Sequence, residues 1–136
     1  MNMNLDELGK KLHGKIDSGI DHLKTTKDHL ENVKMEAETA IQTNLKAAKE
    51  TLEEKKQEAA DATVRLKELV EDKKTETETA VAEWKSNRDL KKLEKRAERA
   101  EKYAEACVEM TLSSVVEAEV AILEAVAARQ DADNAA

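Results

Sequence analysis

The sequence predicts an all-helical chain built from very long helices, and three observations support this prediction. Charged residues make up 39% of the 136 residues and aromatic residues only 1%, which is typical of exposed helices and coiled coils rather than of a compact α/β enzyme. Proline is absent, and the three glycines, Gly9, Gly14 and Gly19, lie near the N-terminus. The rest of the chain therefore lacks both strong helix breakers. Apolar residues also recur with a helical period.

The first predicted element is one long helix. At about 100° per residue, one face collects Leu5, Leu8, Leu12, Ile16, Ile20, Leu23, Leu30, Val33, Ala37, Ile41 and Leu45, and then Ala48, Leu52, Ala59, Leu66, Val70, Thr77, Val81 and Trp84. Because the phase does not change, we expect a single helix over 5–85, of about 80 residues and roughly 120 Å. A repeat near 3.6 predicts a nearly straight helix. The polar run 71–79 is its weakest segment.

The second predicted element follows a turn near 86–88, where the apolar phase shifts and Ser86, Asn87 and Asp89 offer capping side chains. A helix of about 40 residues is expected over 87–129, with a frayed tail over 130–136. Its predicted contact face is a seam of mostly small residues, comprising Leu90, Leu93, Ala97, Ala100, Ala104, Cys107, Thr111, Ser114, Ala118, Ala121 and Ala125. Residues 1–136 then form a single all-helical domain.

The unequal lengths of the two predicted helices leave half of the first without a partner from its own chain. An antiparallel dimer of such long helical hairpins, forming a coiled-coil bundle, covers that half symmetrically and is the preferred architecture. The alternative is a monomeric up-down three-helix bundle with an extra break near 43–44, which divides the chain into three similar segments.

The charge and the cysteine content restrict the environment and the partners. A net charge of −7 argues against general attraction to nucleic acid or to anionic lipid. Cys107 is the only cysteine, so no intramolecular disulfide is possible. No stretch approaches the roughly 18 apolar residues of a membrane span, and the N-terminus does not resemble a signal peptide. The sequence therefore predicts a cytoplasmic protein, with at most peripheral contact with lipid.

A basic stripe on the second helix is the candidate partner-binding surface. Its members are Lys85, Arg88, Lys91, Lys92, Lys95, Arg96, Arg99 and Lys102, of which we select Lys85, Arg88, Lys92, Lys95, Arg99 and Lys102 as binding residues. The stripe could hold the phosphates of nucleic acid, but interleaved acids such as Glu94 and Glu98 reduce its field. Pairing with the acidic run near Glu71 and Glu76 is the favoured interpretation.

A second candidate surface lies where the apolar residues spread around the helix beyond Ala104. A helix that is apolar on several sides is typical of a bundle centre or an oligomer interface. We therefore expect self-association through Ala104, Cys107, Val108, Val115, Ile122 and Val126.

No catalytic, cofactor-binding or metal-binding residues are predicted. His22 and His29 lie two turns apart in a repeated Asp-His-Leu triplet, whereas metal ligands on one helix usually lie three or four residues apart. The sequence has no glycine-rich phosphate loop and no Ser-His-Asp arrangement. We therefore expect a non-enzyme without a small-molecule substrate.

Three functional hypotheses follow. The favoured one is a structural or adaptor protein that acts as an elongated homo-oligomeric bundle, preferably a dimer, and binds a protein partner. The second is a stress-protective or lipid-surface amphipathic protein, because 44–79 resembles in composition the Ala/Lys/Glu/Thr-rich repeats of group 3 late-embryogenesis-abundant proteins. The third is a nucleic-acid accessory protein that uses the stripe over 85–102.

Overall fold

The computed structural model describes residues 4–33 and 35–136, and over these residues all regular secondary structure is α-helical. The helices are α1 (Leu5–Glu31), α2 (Glu38–Lys73), α3 (Glu78–Ser86) and α4 (Leu90–Ala135). The all-helical prediction is therefore confirmed for this part of the chain. The predicted single domain over 1–136 includes residues 1–3 and 34, which lie outside the described residues.

The helix α4 is the centre of the arrangement. It packs against α1, α2 and α3, and no other helix pair approaches closely within the described residues. Lys11 reaches Glu105 and Lys15 reaches Glu109, so α1 runs parallel to α4. Arg65 also reaches Glu109, although it comes from much later in the chain. Its helix α2 runs antiparallel to α4, because Lys49 lies near Glu124.

The predicted continuous helix over 5–85 is wrong, because the chain breaks at 32–37 and again at 74–77. At the first break the Asn32 side chain donates a hydrogen bond to the Asp28 carbonyl at 2.9 Å. At the second, Thr77 caps α3 by accepting from the Ala80 amide at 3.1 Å. Folding back allows α1 to lie on α4, and packing of this kind supplies most helical stability in proteins.

The alternative three-segment arrangement matches the chain path better, but its break is misplaced. Thr43 and Asn44 lie inside α2, and the Thr43 hydroxyl donates to the Thr39 carbonyl at 2.8 Å. That bond is compatible with a continuous helix. The chain instead leaves the first helix after Glu31, where Asn32 supplies the capping groups, and α2 begins at Glu38.

The turn predicted near 86–88 lies at 87–89. The Asp89 amide donates to the Trp84 carbonyl at 2.9 Å and the Arg88 amide to the Lys85 carbonyl at 3.2 Å, the hydrogen-bond pattern of a Schellman motif. Arg88 has a φ of 52°, so a long side chain occupies the left-handed position that glycine usually fills. The Asp89 side chain then caps α4 by accepting from the Lys92 amide.

The end and the contact face of the last helix also differ from prediction. The tail over 130–136 continues the helix to Ala135, because no glycine or proline stops it. The small-residue seam is not the main contact face, since Ala100, Ala118 and Ala125 are exposed. The buried side carries Ala106, Leu112, Ser113, Val116, Val120, Leu123 and Ala127. Leu112, Val116, Val120 and Leu123 are larger than the alanines of the seam, so their burial removes more apolar area from water.

Candidate protein-binding surfaces

The basic stripe borders a cleft of about 510 Å³ between α4 and the junction of α2 with α3. Four of the selected residues, Lys92, Lys95, Arg99 and Lys102, line it together with Trp84 and Leu69. Four acidic residues line the same cleft, namely Glu71, Asp72, Glu76 and Glu98. Lys85 and Arg88 lie outside it, at the end of α3 and in the turn. The cleft therefore carries balanced rather than positive charge.

Two residues of the stripe are engaged within the chain. The Arg99 Nε donates to Glu76 Oε2 at 2.7 Å, and Nη2 contacts the same oxygen. These side chains are only 12% and 10% exposed, respectively. The Lys92 Nζ lies 5.9 Å from the Trp84 ring centroid, a cation–π contact. Intramolecular pairing was the interpretation favoured from the sequence, and Glu76 with Arg99 is an instance of it.

A second surface is apolar and lies along α1. Ile16, Ile20 and Leu23 are 51%, 53% and 53% exposed, and Leu30 is 46% exposed. The sequence placed these residues on the core stripe, but α1 turns a different face to α4. That face carries Gly19 and Thr26, which are buried, and the half-buried Leu8, Leu12, Lys15, His22 and His29. The most apolar side of α1 is thus left partly in water.

The close approach of α1 to α4 at Gly19 explains why this face of α1 packs against α4. A Cβ added to Gly19 would lie 3.0 Å from the Leu112 Cδ2, so the missing side chain allows α1 to settle on α4. An ion pair and a hydrogen bond lie at the edges of this contact, with Lys11 Nζ 2.8 Å from Glu105 Oε1 and His22 Nδ1 2.9 Å from Glu119 Oε2. Nothing in the sequence marked Gly19 as a contact, because its role depends on a residue of another helix.

Of the predicted self-association residues, Val108, Val115, Ile122 and Val126 lie beside this apolar side of α1, whereas Cys107 lies about 100° around α4 from Val108, on the side away from α1. Ala104, Cys107, Val108, Val115, Ile122 and Val126 are all half-buried. Val108, Val115 and Ile122 each come one position before the α4 residues Glu109, Val116 and Leu123, so they lie about 100° around the helix from them. Glu109 is shared by Lys15 of α1 and Arg65 of α2. The three valine and isoleucine positions therefore face away from α2.

The charges of α4 beyond Ala104 are arranged in an unusual way. The largely buried side chains of Glu105, Glu109 and Glu119 reach basic or histidine partners on α1, whereas Glu124 is exposed and reaches Lys49 of α2 at the surface. Thr111, Ser114, Ala118, Ala121 and Ala125 form an exposed arc of small, uncharged residues, with the exposed Glu117 and Glu124 at its edge. A solvent-facing helix side normally carries the charged residues. The arc between Thr111 and Ala125 thus lacks the charge that is typical of a solvated helix face.

The histidines are each matched with one carboxylate. The Nδ1 atoms of His22, His29 and His13 lie 2.9, 2.7 and 3.1 Å from Glu119, Glu36 and Asp17, respectively. His22 and His29 thus take different partners. The described residues contain no group of three or more possible metal-ligating side chains. Cys107 is a half-buried thiol on α4.

None of the described helices combines the length and apolar character that crossing a lipid bilayer requires. Comparison with protein-family models, curated proteins and solved structures gave no significant match to the chain.

Proposed function

We propose that the protein is a non-enzymatic structural or adaptor protein, and that it acts as a homo-oligomeric helical bundle that binds a protein partner. The observation that supports this most directly is the apolar strip formed by Ile16, Ile20, Leu23 and Leu30 of α1 together with Val108, Val115, Ile122 and Val126 of α4. Large contiguous apolar surface in water is unfavourable and usually marks an interaction site.

The charges around the strip favour a protein surface over a membrane surface as its occupant. Asp17, Asp28 and Glu31 lie on the outer edge of α1, about 60 to 120° around the helix from Ile16. Lys10, Lys24 and Lys27 lie in or beside the same arc and are exposed, so this edge has mixed charge, whereas interfacial helices usually carry an excess of lysine and arginine there. The balanced charge of the cleft beside the basic stripe gives the nucleic-acid hypothesis no comparable support.

Sedimentation analysis of matched variants tests the proposal. Ile20→Lys places a charge in the strip, whereas Val64→Lys makes a closely similar change at an apolar residue of α2 that is 60% exposed. We expect the wild-type chain and Val64→Lys to sediment above the 15.1 kDa mass of one chain. Ile20→Lys should weaken association at least tenfold, or about 1.4 kcal/mol. A wild-type chain that stays monomeric at all concentrations would contradict self-association.

A further inference from the structure

The apolar strip is a groove with two walls. Lys15 pairs with Glu109 at 3.1 Å, so the parallel register places Ile16 to Leu30 of α1 beside the valine and isoleucine positions of α4. Both sets of side chains lie on the side away from α2. On a helical wheel, the exposed stripe of α1 lies about 90° from the face that packs on α4. Its side chains therefore point to the same side of the α1–α4 pair as the valine and isoleucine positions of α4, and not directly away from α4. The groove therefore has the shape that accommodates one further helix.

The α4 residues that line the groove recur with a regular heptad spacing. Its positions, which we call the outer heptad, are Ala104, Val108, Thr111, Val115, Ala118, Ile122 and Ala125. Spacings of four and three residues alternate throughout, the pattern by which one helix packs against another along its length. None of the seven residues is charged. The groove is thus prepared for an apolar helix of comparable length.

We propose that the occupant is α4 of a second copy of this chain, lying antiparallel about a two-fold axis between Val115 and Ala118. This inference rests on the proposed function and specifies its self-association surface. Each α4 fills the groove between α1 and α4 of the other copy, so the two copies form a four-helix centre of two α1 and two α4 helices. The contact is isologous, as expected for a symmetric dimer.

The sizes of the side chains favour the antiparallel direction. About this axis, Val115 faces Ala118 of the second copy, Ile122 faces its Thr111, and Val108 faces its Ala125. Every larger residue then meets a smaller one, which allows layers to interdigitate without voids. A parallel pair would instead place isoleucine on isoleucine and alanine on alanine, leaving the layers uneven.

The area of the groove matches the requirement of a stable dimer. Residues 104–128 span roughly 36 Å at about 1.5 Å per residue, and two helices with axes about 10 Å apart are about 20 Å across. The footprint is roughly 700 Å², close to the about 800 Å² per partner of standard interfaces. A second α4 lying in the groove would also cover the exposed stripe of α1. A contact made only by the small residues of the outer heptad would leave that stripe in water.

Disulfide trapping tests this geometry in the full-length chain. In a Cys107→Ser background, one preparation carries Thr111→Cys and another Ile122→Cys, and the two are mixed under mild oxidation. The proposed register places these cysteines opposite each other. Two copies of the same variant would have their cysteines offset by roughly 16 Å along the helices, well beyond the 4.4–6.8 Å Cα separation of a disulfide. We therefore expect covalent dimers in the mixture and at least tenfold fewer in either preparation alone.

Other patterns overturn the proposal, and sedimentation of the same samples separates the causes. Self-linking of Thr111→Cys alone would indicate a parallel pair. Dimers that sediment together without forming the mixed disulfide would refute this register while leaving the proposed homo-oligomer intact. Monomers in every sample, with retained helical circular dichroism, would refute both the register and the homo-oligomer.

Discussion

Gly14 and Gly19 lie five residues apart on α1, yet their surroundings differ. A Cβ added at Gly14 meets no atom within 4 Å, whereas one added at Gly19 lies 3.0 Å from the Leu112 Cδ2. The sequence identified both residues only as weak points of a helix. It could not distinguish them, because the contact at Gly19 depends on how α1 is rotated against α4.

Alanine substitutions should separate the two glycines. Gly14→Ala is expected to raise the free energy of unfolding by about 0.5–1 kcal/mol, because alanine favours the helix. Gly19→Ala gains the same propensity but must displace Leu112, so it should be less stable than Gly14→Ala by about 1 kcal/mol or more. Urea denaturation followed by circular dichroism measures both values. Equal stabilisation would mean that α1 does not approach α4 closely at Gly19.

At the scale of the helices, the ion pair of Glu76 and Arg99 holds the segment between α2 and α3 against α4. Glu76→Ala leaves the largely buried guanidinium without this carboxylate, so we expect a loss of about 1–3 kcal/mol in the free energy of unfolding. Glu71→Ala is the matched control, because Glu71 pairs with Lys74 in an exposed contact worth roughly 0–1 kcal/mol. Urea denaturation at fixed pH compares the variants. Similar losses would show that the break is not held by this pair.

The sequence predicted the helical content of the chain better than the positions where the helices end and the faces by which they pack. The turn after Ser86 was readable because the apolar phase shifts there and capping residues follow. The break at 32–37 was not, since Leu30, Val33, Ala37 and Ile41 keep the phase of a continuous helix. Along α2 the inward positions 41, 45, 48, 52, 55, 59, 62, 66 and 69 follow a heptad. The pattern is hard to recognise in the sequence because position 55 is a lysine and position 62 is a small alanine. The predicted stripe therefore included Ile41, Leu45, Ala48, Leu52, Ala59 and Leu66 but missed Lys55, Ala62 and Leu69.

For the whole molecule, the difficulty was to choose which apolar face packs within the chain. Both α1 and α4 carry more apolar surface than one seam can bury, and the sequence placed Ile16 and Ile20 inside. The structure instead buries Gly19 with Leu112, and Val116 with the core, which leaves the strip available for another helix. The self-association residues stay a prediction, which rests on an apolar surface beyond Ala104 that is too wide for a single contact.

The most direct test of a self-associating helical bundle is thermal melting followed by far-ultraviolet circular dichroism, at two protein concentrations about a hundredfold apart. We predict strong helical signal and a cooperative transition whose midpoint rises by roughly 5 °C with concentration, as expected for a dimer with an unfolding enthalpy near 0.7 kcal/mol per residue. Ile20→Lys, which weakens association, should melt at a lower temperature than the wild-type chain at each concentration. A wild-type midpoint independent of concentration, or a chain without helical signal in plain buffer, would contradict the self-associating bundle.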